Sequence, residues 1–250
     1  MIRFLYDNLL DDGTLTASSE DSEFPVTNIQ HRWHTRHWRS TGVAAEYVTC
    51  DLGAPKDINS LIVKYHNFQF GATVHILADS AATFDSAPGG LPELDVILTV
   101  TTETIIYNWS SAKTYQYWRL TIADAGNPDG YVRIGRTYLG TYVSPTYNYK
   151  DRQETYKDPS DKASSTGGQD SADEETHYSE LSYTFLILTA DKATFKAIFD
   201  EVGTSKAYFV CEDPTSAATT TYYVQNLEDW QFSYIDPGKE WLTMSLKTMR

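Results

Sequence analysis

Apolar and polar positions alternate in short runs through the first part of the chain. Segments from Tyr47 to Leu52, Ser60 to Tyr65, Thr73 to Leu77, Val96 to Val100, Thr104 to Tyr107, Tyr115 to Ile122 and Tyr131 to Leu139 are rich in Val, Ile, Thr and Tyr. Turn-forming runs separate them: Gly53-Ala-Pro-Lys, Ala87-Pro-Gly-Gly-Leu-Pro and Ala125-Gly-Asn-Pro-Asp-Gly. Many short strands with Gly/Pro punctuation predict a β-sandwich over residues 1–145. From Tyr147 to Thr176 apolar residues nearly vanish. Such a stretch buries too little surface to offset its ordering entropy alone, so residues 146–177 read as a polar linker or an arm that orders against a neighbour.

Order returns at 178–250. Leu181, Tyr183, Phe185 and Ile187 alternate with polar residues as a strand with one apolar face. Phe195, Ile198, Phe199 and Val202 fall at i, i+3, i+4 and i+7, the stripe of one amphipathic helix. Asp191 is placed to cap or charge its start, and Gly203 to end it. Trp230, Phe232 and Tyr234 share one face of a strand. Asp236-Pro237-Gly238-Lys239 is a tight turn, and Leu242, Met244 and Leu246 alternate on the return. The expected fold is therefore mainly β: a sandwich followed by a smaller β domain with one short helix. A C-terminal domain of about 70 residues is marginal alone, and its long hairpin leaves an open strand edge. Both features favour association with other copies or other proteins.

Composition narrows the partners. A net charge of −14 opposes nucleic acid, whose binding requires clustered Lys and Arg, and an anionic membrane surface likewise. No apolar run approaches the ~20 residues of a membrane helix, so no membrane insertion is expected. The start of the chain, Met1-Ile2-Arg3-Phe4 and then Asp7, Asp11 and Asp12, does not read as a signal peptide. Aromatic residues reach 14%, including 18 Tyr, which suits half-buried strand faces and contact surfaces. The two cysteines, Cys50 and Cys211, lie in strand-like segments and read as buried reduced thiols.

One cluster stands out for chemistry: His31-Arg32-Trp33-His34-Thr35-Arg36-His37-Trp38-Arg39. Its histidines would spread over about 120° of a helix or face opposite ways on a strand, and no Cys or carboxylate is close in sequence, so no metal site is expected. As a binding loop, Trp33 could stack on a sugar face while His34 and Arg36 donate hydrogen bonds, with His37 beside them. In the plainer reading, Trp38 is core and the basic residues meet acidic neighbours. Nucleophile-elbow, phosphate-loop and zinc-protease motifs are missing, so neither catalytic residues nor a cofactor are expected.

Several short motifs then carry a family resemblance. Thr16-Ala-Ser-Ser-Glu20, Phe24-Pro-Val-Thr-Asn-Ile29, Trp38-Arg-Ser-Thr41, Glu46-Tyr-Val-Thr-Cys-Asp-Leu-Gly53, Tyr117-Trp-Arg-Leu120 and Ile134-Gly-Arg-Thr-Tyr-Leu-Gly140 resemble, in order and spacing, discoidin-like (galactose-binding-like) domains. The second half, with Cys211-Glu-Asp-Pro214, Tyr222-Tyr-Val224 and the closing hairpin, is similar to tail proteins of long-tailed, non-contractile phages. The pair of resemblances implies a structural virion component, assembled in a host cytoplasm into a ring or hub near the tail tip. Its implied partners are copies of itself and other tail proteins. The alternative is a glycan-binding module that recognises a host surface.

Overall fold

The computed structural model describes every residue except 83, 85–91, 103, 165, 167–169 and 250. The chain is mainly β, as expected, and divides into two compact units. One comprises residues 7–142 with 215–220. The other comprises 1–6, 143–214 and 221–250. The second unit therefore includes both the start and the end of the chain, which corrects the expected boundaries of 1–145, 146–177 and 178–250.

In the first unit two long strands, Glu46–Lys64 and Thr104–Ala123, pair antiparallel along most of their length. Each spans two segments that the sequence pattern separated. The Gly53-Ala-Pro-Lys run does not end a strand. It makes a bulge, where the register jumps between Asp51/Lys56, Gly53 takes φ +71° and the Asp51 carboxylate accepts the Gly53 N–H at 2.8 Å. The bulge divides each long strand into halves with different neighbours. Towards one end, Thr14–Ala17 pairs with Val48 to Asp51, and Thr73–Asp79 joins Tyr117 to Ala123 before pairing with Leu94–Leu98. Towards the other, Arg136–Gly140 pairs with Ser60 to Lys64. Side chains of both halves, among them Val48, Trp118 and Leu120 with Leu61, Val63 and Ile105, meet in one core. That is the sandwich. Trp38 is fully buried in it, its indole N–H donating to Ser19 O at 3.1 Å. The predicted Ala87-to-Pro92 turn lies, up to residue 91, outside the described residues.

The second unit is a seven-stranded antiparallel sheet carrying the helix Thr189–Val202. Phe195, Ile198 and Val202 are buried, as the stripe predicts, and Gly203 ends the helix at φ +50°, its N–H donating to Phe199 O. Asp191 makes no capping bond but lies in the helix's first turn, where its charge was expected; its carboxylate accepts from Thr146 N and Oγ1 at 3.3 and 3.0 Å. Two further α-helices, Leu9–Asp12 and Ala217–Thr220, both in the first unit, are single turns, too short to leave a periodic stripe. The closing hairpin forms as predicted between Gln231–Asp236 and Lys239–Thr248, with Gly238 at φ +89°. Its aromatic face is only partly used: Trp230 is buried, and Tyr234 is 72% exposed.

Two segments join this unit against expectation. Arg3–Leu5 pairs with Phe209 to Cys211, and Ile2 and Phe4 lie fully buried in its core, with Phe4 edge-on to Phe195 at 5.5 Å. The expected linker also contributes a strand, Tyr149–Lys157, paired with Tyr178–Leu188. Only its first residue, Tyr149, packs on the core, beside Tyr183 and Phe185; apolar burial does not hold the rest. Ladder hydrogen bonds do, together with an ion pair from Arg152 Nε to the buried Glu212 Oε1 at 2.6 Å. Beyond it, Asp161–Ser164 and Asp170–Asp173 form a two-stranded ribbon.

Candidate functional site

Strand pairing gathers one end of the sandwich unit. Lys64 is opposite both Thr104 and Arg136, so the turn after Lys64, the turn before Thr104 and the short strand Arg133–Ile134 converge. The loop 31–37, held by Asn28 Nδ2 donating to His37 O at 3.0 Å, closes the same end. These segments enclose an open cleft of about 540 Å³, lined by His34, Thr35, His37, Lys64, Tyr65, His66, Thr102 and Arg133.

The backbone at Tyr65 is unusual. Among the described residues it is the non-glycine with positive φ, at +60°. Side chains other than Gly rarely occupy this region, and such strain collects at functional sites. Its ring stacks on His34, with centroids 4.1 Å apart and planes at 24°. Gly135 donates its N–H to Tyr65 O at 3.2 Å, and a Cβ at Gly135 would lie 2.7 Å from Tyr65 Cβ and 3.1 Å from His34 O.

His66 is 6% exposed. Its Nδ1 accepts the Phe68 N–H at 3.1 Å, so the ring proton sits on Nε2. That Nε2 is buried and has no hydrogen-bond partner in the protein, and the same holds for Arg133 Nε. Buried polar groups are satisfied in the great majority of cases, so two unpaired buried donors on residues that line one cleft require an explanation. Burial, with Arg133 and Lys64 close by, lowers the His66 pKa to about 4 against the opposing pull of Asp124. Burial likewise lowers His34, aided by Lys64, and His37, aided by Arg133 and Arg39.

A polar network fixes the wall that carries His66 and Arg133. Asn67 Oδ1 accepts the Arg133 N–H at 2.7 Å, and Asn67 Nδ2 donates to Asp129 Oδ2 and Tyr131 O at 2.9 and 3.0 Å. The buried Asp124 carboxylate accepts from Gln69 N and Asn127 Nδ2 at 3.0 and 2.9 Å.

Of the four residues expected from sequence, His34 and His37 line the cleft. His37 also stacks on Phe24 at 4.5 Å. Trp33 and Arg36 do not line it. Trp33 is 45% exposed, with the Arg32 guanidinium over its ring, and Arg36 N–H closes a turn on Trp33 O. Lys64, Tyr65, His66, Thr102 and Arg133 were missed, because their approach depends on strand register far apart in sequence. Among the described residues no group of three or more His, Cys, Asp or Glu is arranged to hold a metal ion. A second groove of about 320 Å³ includes Glu46 and Arg119. Glu46 is already engaged by Ser18 and Ser19, and Arg119 Nε by Thr49.

No family model matches the chain, and no curated protein matches it in sequence. Among solved structures, it is similar to chitosan-binding module 1 of a chitosanase/glucanase from Paenibacillus sp. IK-5, with 20% identity and a TM-score of 0.43 over 54% of this chain and 99% of that one. It is also similar to the family 32 carbohydrate-binding module of NanJ from C. perfringens in complex with galactose, with 12% identity and a TM-score of 0.42 over 57% and 100%. A Streptococcus pneumoniae fucose-binding module gives 9% identity and a TM-score of 0.42 over 54% and 95%.

Proposed function

We propose that the sandwich unit is a non-catalytic carbohydrate-binding module and that the cleft between His34 and Arg133 is its site. The observation that supports this reading is the pairing of an aromatic platform with unsatisfied donors. The stacked rings of Tyr65 and His34 offer a flat apolar face, and the buried His66 Nε2 and Arg133 Nε lack protein acceptors. A sugar ring presents the complement: an apolar C–H face and a rim of oxygen acceptors. An open cleft on turns at one end of a rigid sandwich suits a chain end or branch of a larger glycan. Binding of the full chain to a glycan array, followed by titration calorimetry on the hits, tests the reading. Specific binding that is lost in Tyr65→Ala and unchanged in Arg36→Ala is expected. No binding to any sugar would sink it.

A second reading, a structural component of a long non-contractile phage tail, is favoured by the ribbon. The strand Tyr149–Lys157 has mostly exposed residues, and it is followed by the paired strands Asp161–Ser164 and Asp170–Asp173. Two-stranded ribbons are marginal alone in water, and an arm that orders against neighbouring copies resolves this. In that reading the protein resides in the virion, forms a ring near the tail tip and carries the sugar-binding unit as its outward module. Light scattering of the purified chain, and of a variant lacking 158–176, addresses it. A ring-sized species that the deletion disperses is expected. A monomer in both cases would overturn it.

A further inference from the structure

We infer that the sugar taken by this cleft is anionic, carrying a carboxylate or sulfate that docks on Arg133 and His66; the inference rests on the carbohydrate-binding reading above. The cleft is lined by two fixed cations, Lys64 and Arg133, and by three imidazoles, and among its described lining residues there is no Asp or Glu. Among these described residues the balance is opposite in sign to the chain's net −14. Lys64 is already occupied within the protein, its Nζ donating to Thr104 Oγ1 at 2.9 Å and lying 5.2 Å from the Tyr65 ring centroid. Arg133 differs: it enters none of the protein's ion pairs among the described residues, and its Nε is buried without a partner.

A guanidinium is the side chain best shaped to hold a carboxylate or sulfate, because its parallel N–H groups match the spacing of two anion oxygens. His66 adds a neutral, fixed N–H whose direction is set by the Phe68 N–H on the opposite ring nitrogen. A neutral sugar hydroxyl could satisfy one such donor. Two unsatisfied donors, one of them cationic, are matched by an anion. The Asn67 bond to the Arg133 backbone N–H fixes the backbone from which the guanidinium extends, and stacking on Phe68 at 4.4 Å holds the His66 ring before the ligand arrives.

The test is calorimetry on the full chain with matched sugars: a neutral galactoside, its sialylated form and its sulfated form, in one buffer near pH 7.5. At least tenfold tighter binding of one or both charged sugars is expected. Arg133→Gln should weaken the charged sugars at least tenfold more than the neutral one, so that the preference is lost, whereas Arg133→Lys should keep part of it. A thermal melt confirms that each variant is folded. Equal affinity for neutral and charged sugars would overturn the inference and leave the carbohydrate reading standing. Failure of all three, together with an empty glycan array, would overturn both. The sialylated and sulfated arms distinguish which anion is preferred.

Discussion

Gly135 and Tyr65 approach so closely that a single added carbon would not fit between them: a Cβ on Gly135 would lie 2.7 Å from Tyr65 Cβ and 3.3 Å from its carbonyl oxygen. The glycine is needed for space, and the space keeps Tyr65 at φ +60° under His34. Gly135→Ala should therefore push Tyr65 off His34 and deform the cleft. Overpacking of this kind costs about 1–3 kcal/mol. A lowered melting temperature with sugar binding reduced tenfold or more is expected from melts and calorimetry. Unchanged binding would mean that the Tyr65–His34 stack does not shape the site.

His66 makes stability depend on pH. Its folded pKa is about 4, and an unfolded histidine titrates near 6.5. Between those values the unfolded chain binds the extra proton, so stability rises with pH there. The contribution is complete above about pH 6.5 and is lost as pH falls towards 4, on the order of 3 kcal/mol in all. His34 and His37, lowered in the same direction, steepen the trend. Denaturant melts from pH 7.5 to 4 should show the loss, and His66→Gln should flatten part of it.

Asp11 and Arg136 form a two-pronged ion pair, with Arg136 Nη1 and Nη2 each 2.6 Å from one carboxylate oxygen. The Arg136 side chain is 5% exposed and also donates to Ile29 O at 2.9 Å. Asp11→Ala leaves a buried guanidinium without its counter-charge, a loss of roughly 3 kcal/mol. The double variant Asp11→Ala with Arg136→Met should recover a good part. Equilibrium unfolding of the four species reads the coupling directly, and additive losses would contradict it.

Glu212 ties the edge strand of the second unit to its sheet. Its Oε1 accepts from Arg152 Nε at 2.6 Å and from the buried Tyr183 hydroxyl. Burial and this contact hold the Tyr183 phenol well above its usual pKa. Glu212→Ala strands the hydroxyl, which costs about 1–3 kcal/mol. Hydrogen exchange should then quicken across Tyr149–Lys157, with the helix Thr189–Val202 less affected. Uniform loss of protection would assign Glu212 to the whole core.

Both cysteines are buried, and burial beside Asp51 pushes the Cys50 thiol up to about 12. Thiolate is the reactive form. An aromatic disulfide reagent at pH 8 should label neither thiol in the native protein and both in denaturant. Rapid native labelling of Cys50 would show that this part of the core opens.

What the sequence revealed follows the range of each signal. Strands, the amphipathic helix and the Asp236–Lys239 turn depend on neighbours within a few residues and were readable. His34 and His37, which line the cleft, stood out for the same reason, since they share a short, conspicuous segment. Lys64-Tyr65-His66 and Arg133 carried no local mark. Their approach depends on Lys64 pairing with Thr104 and Arg136, and only Gly135, in a run already noted, hinted at a tight approach. The strand Arg3–Leu5 was misplaced because three residues show no period, and its partner lies some two hundred positions away.

That strand sets a timetable. Ile2 and Phe4 are made some two hundred residues before Phe209 to Cys211, the strand against which Arg3–Leu5 must pair. Everything the sandwich needs between residues 7 and 142 is synthesised in the interval, apart from the short 215–220 segment. Domains tend to fold as units while synthesis proceeds. Until residues 209–211 are made, the early strand must therefore stay without its native partner, and Ile2 and Phe4 without their core. A chaperone that binds nascent apolar segments would have a site there throughout that interval.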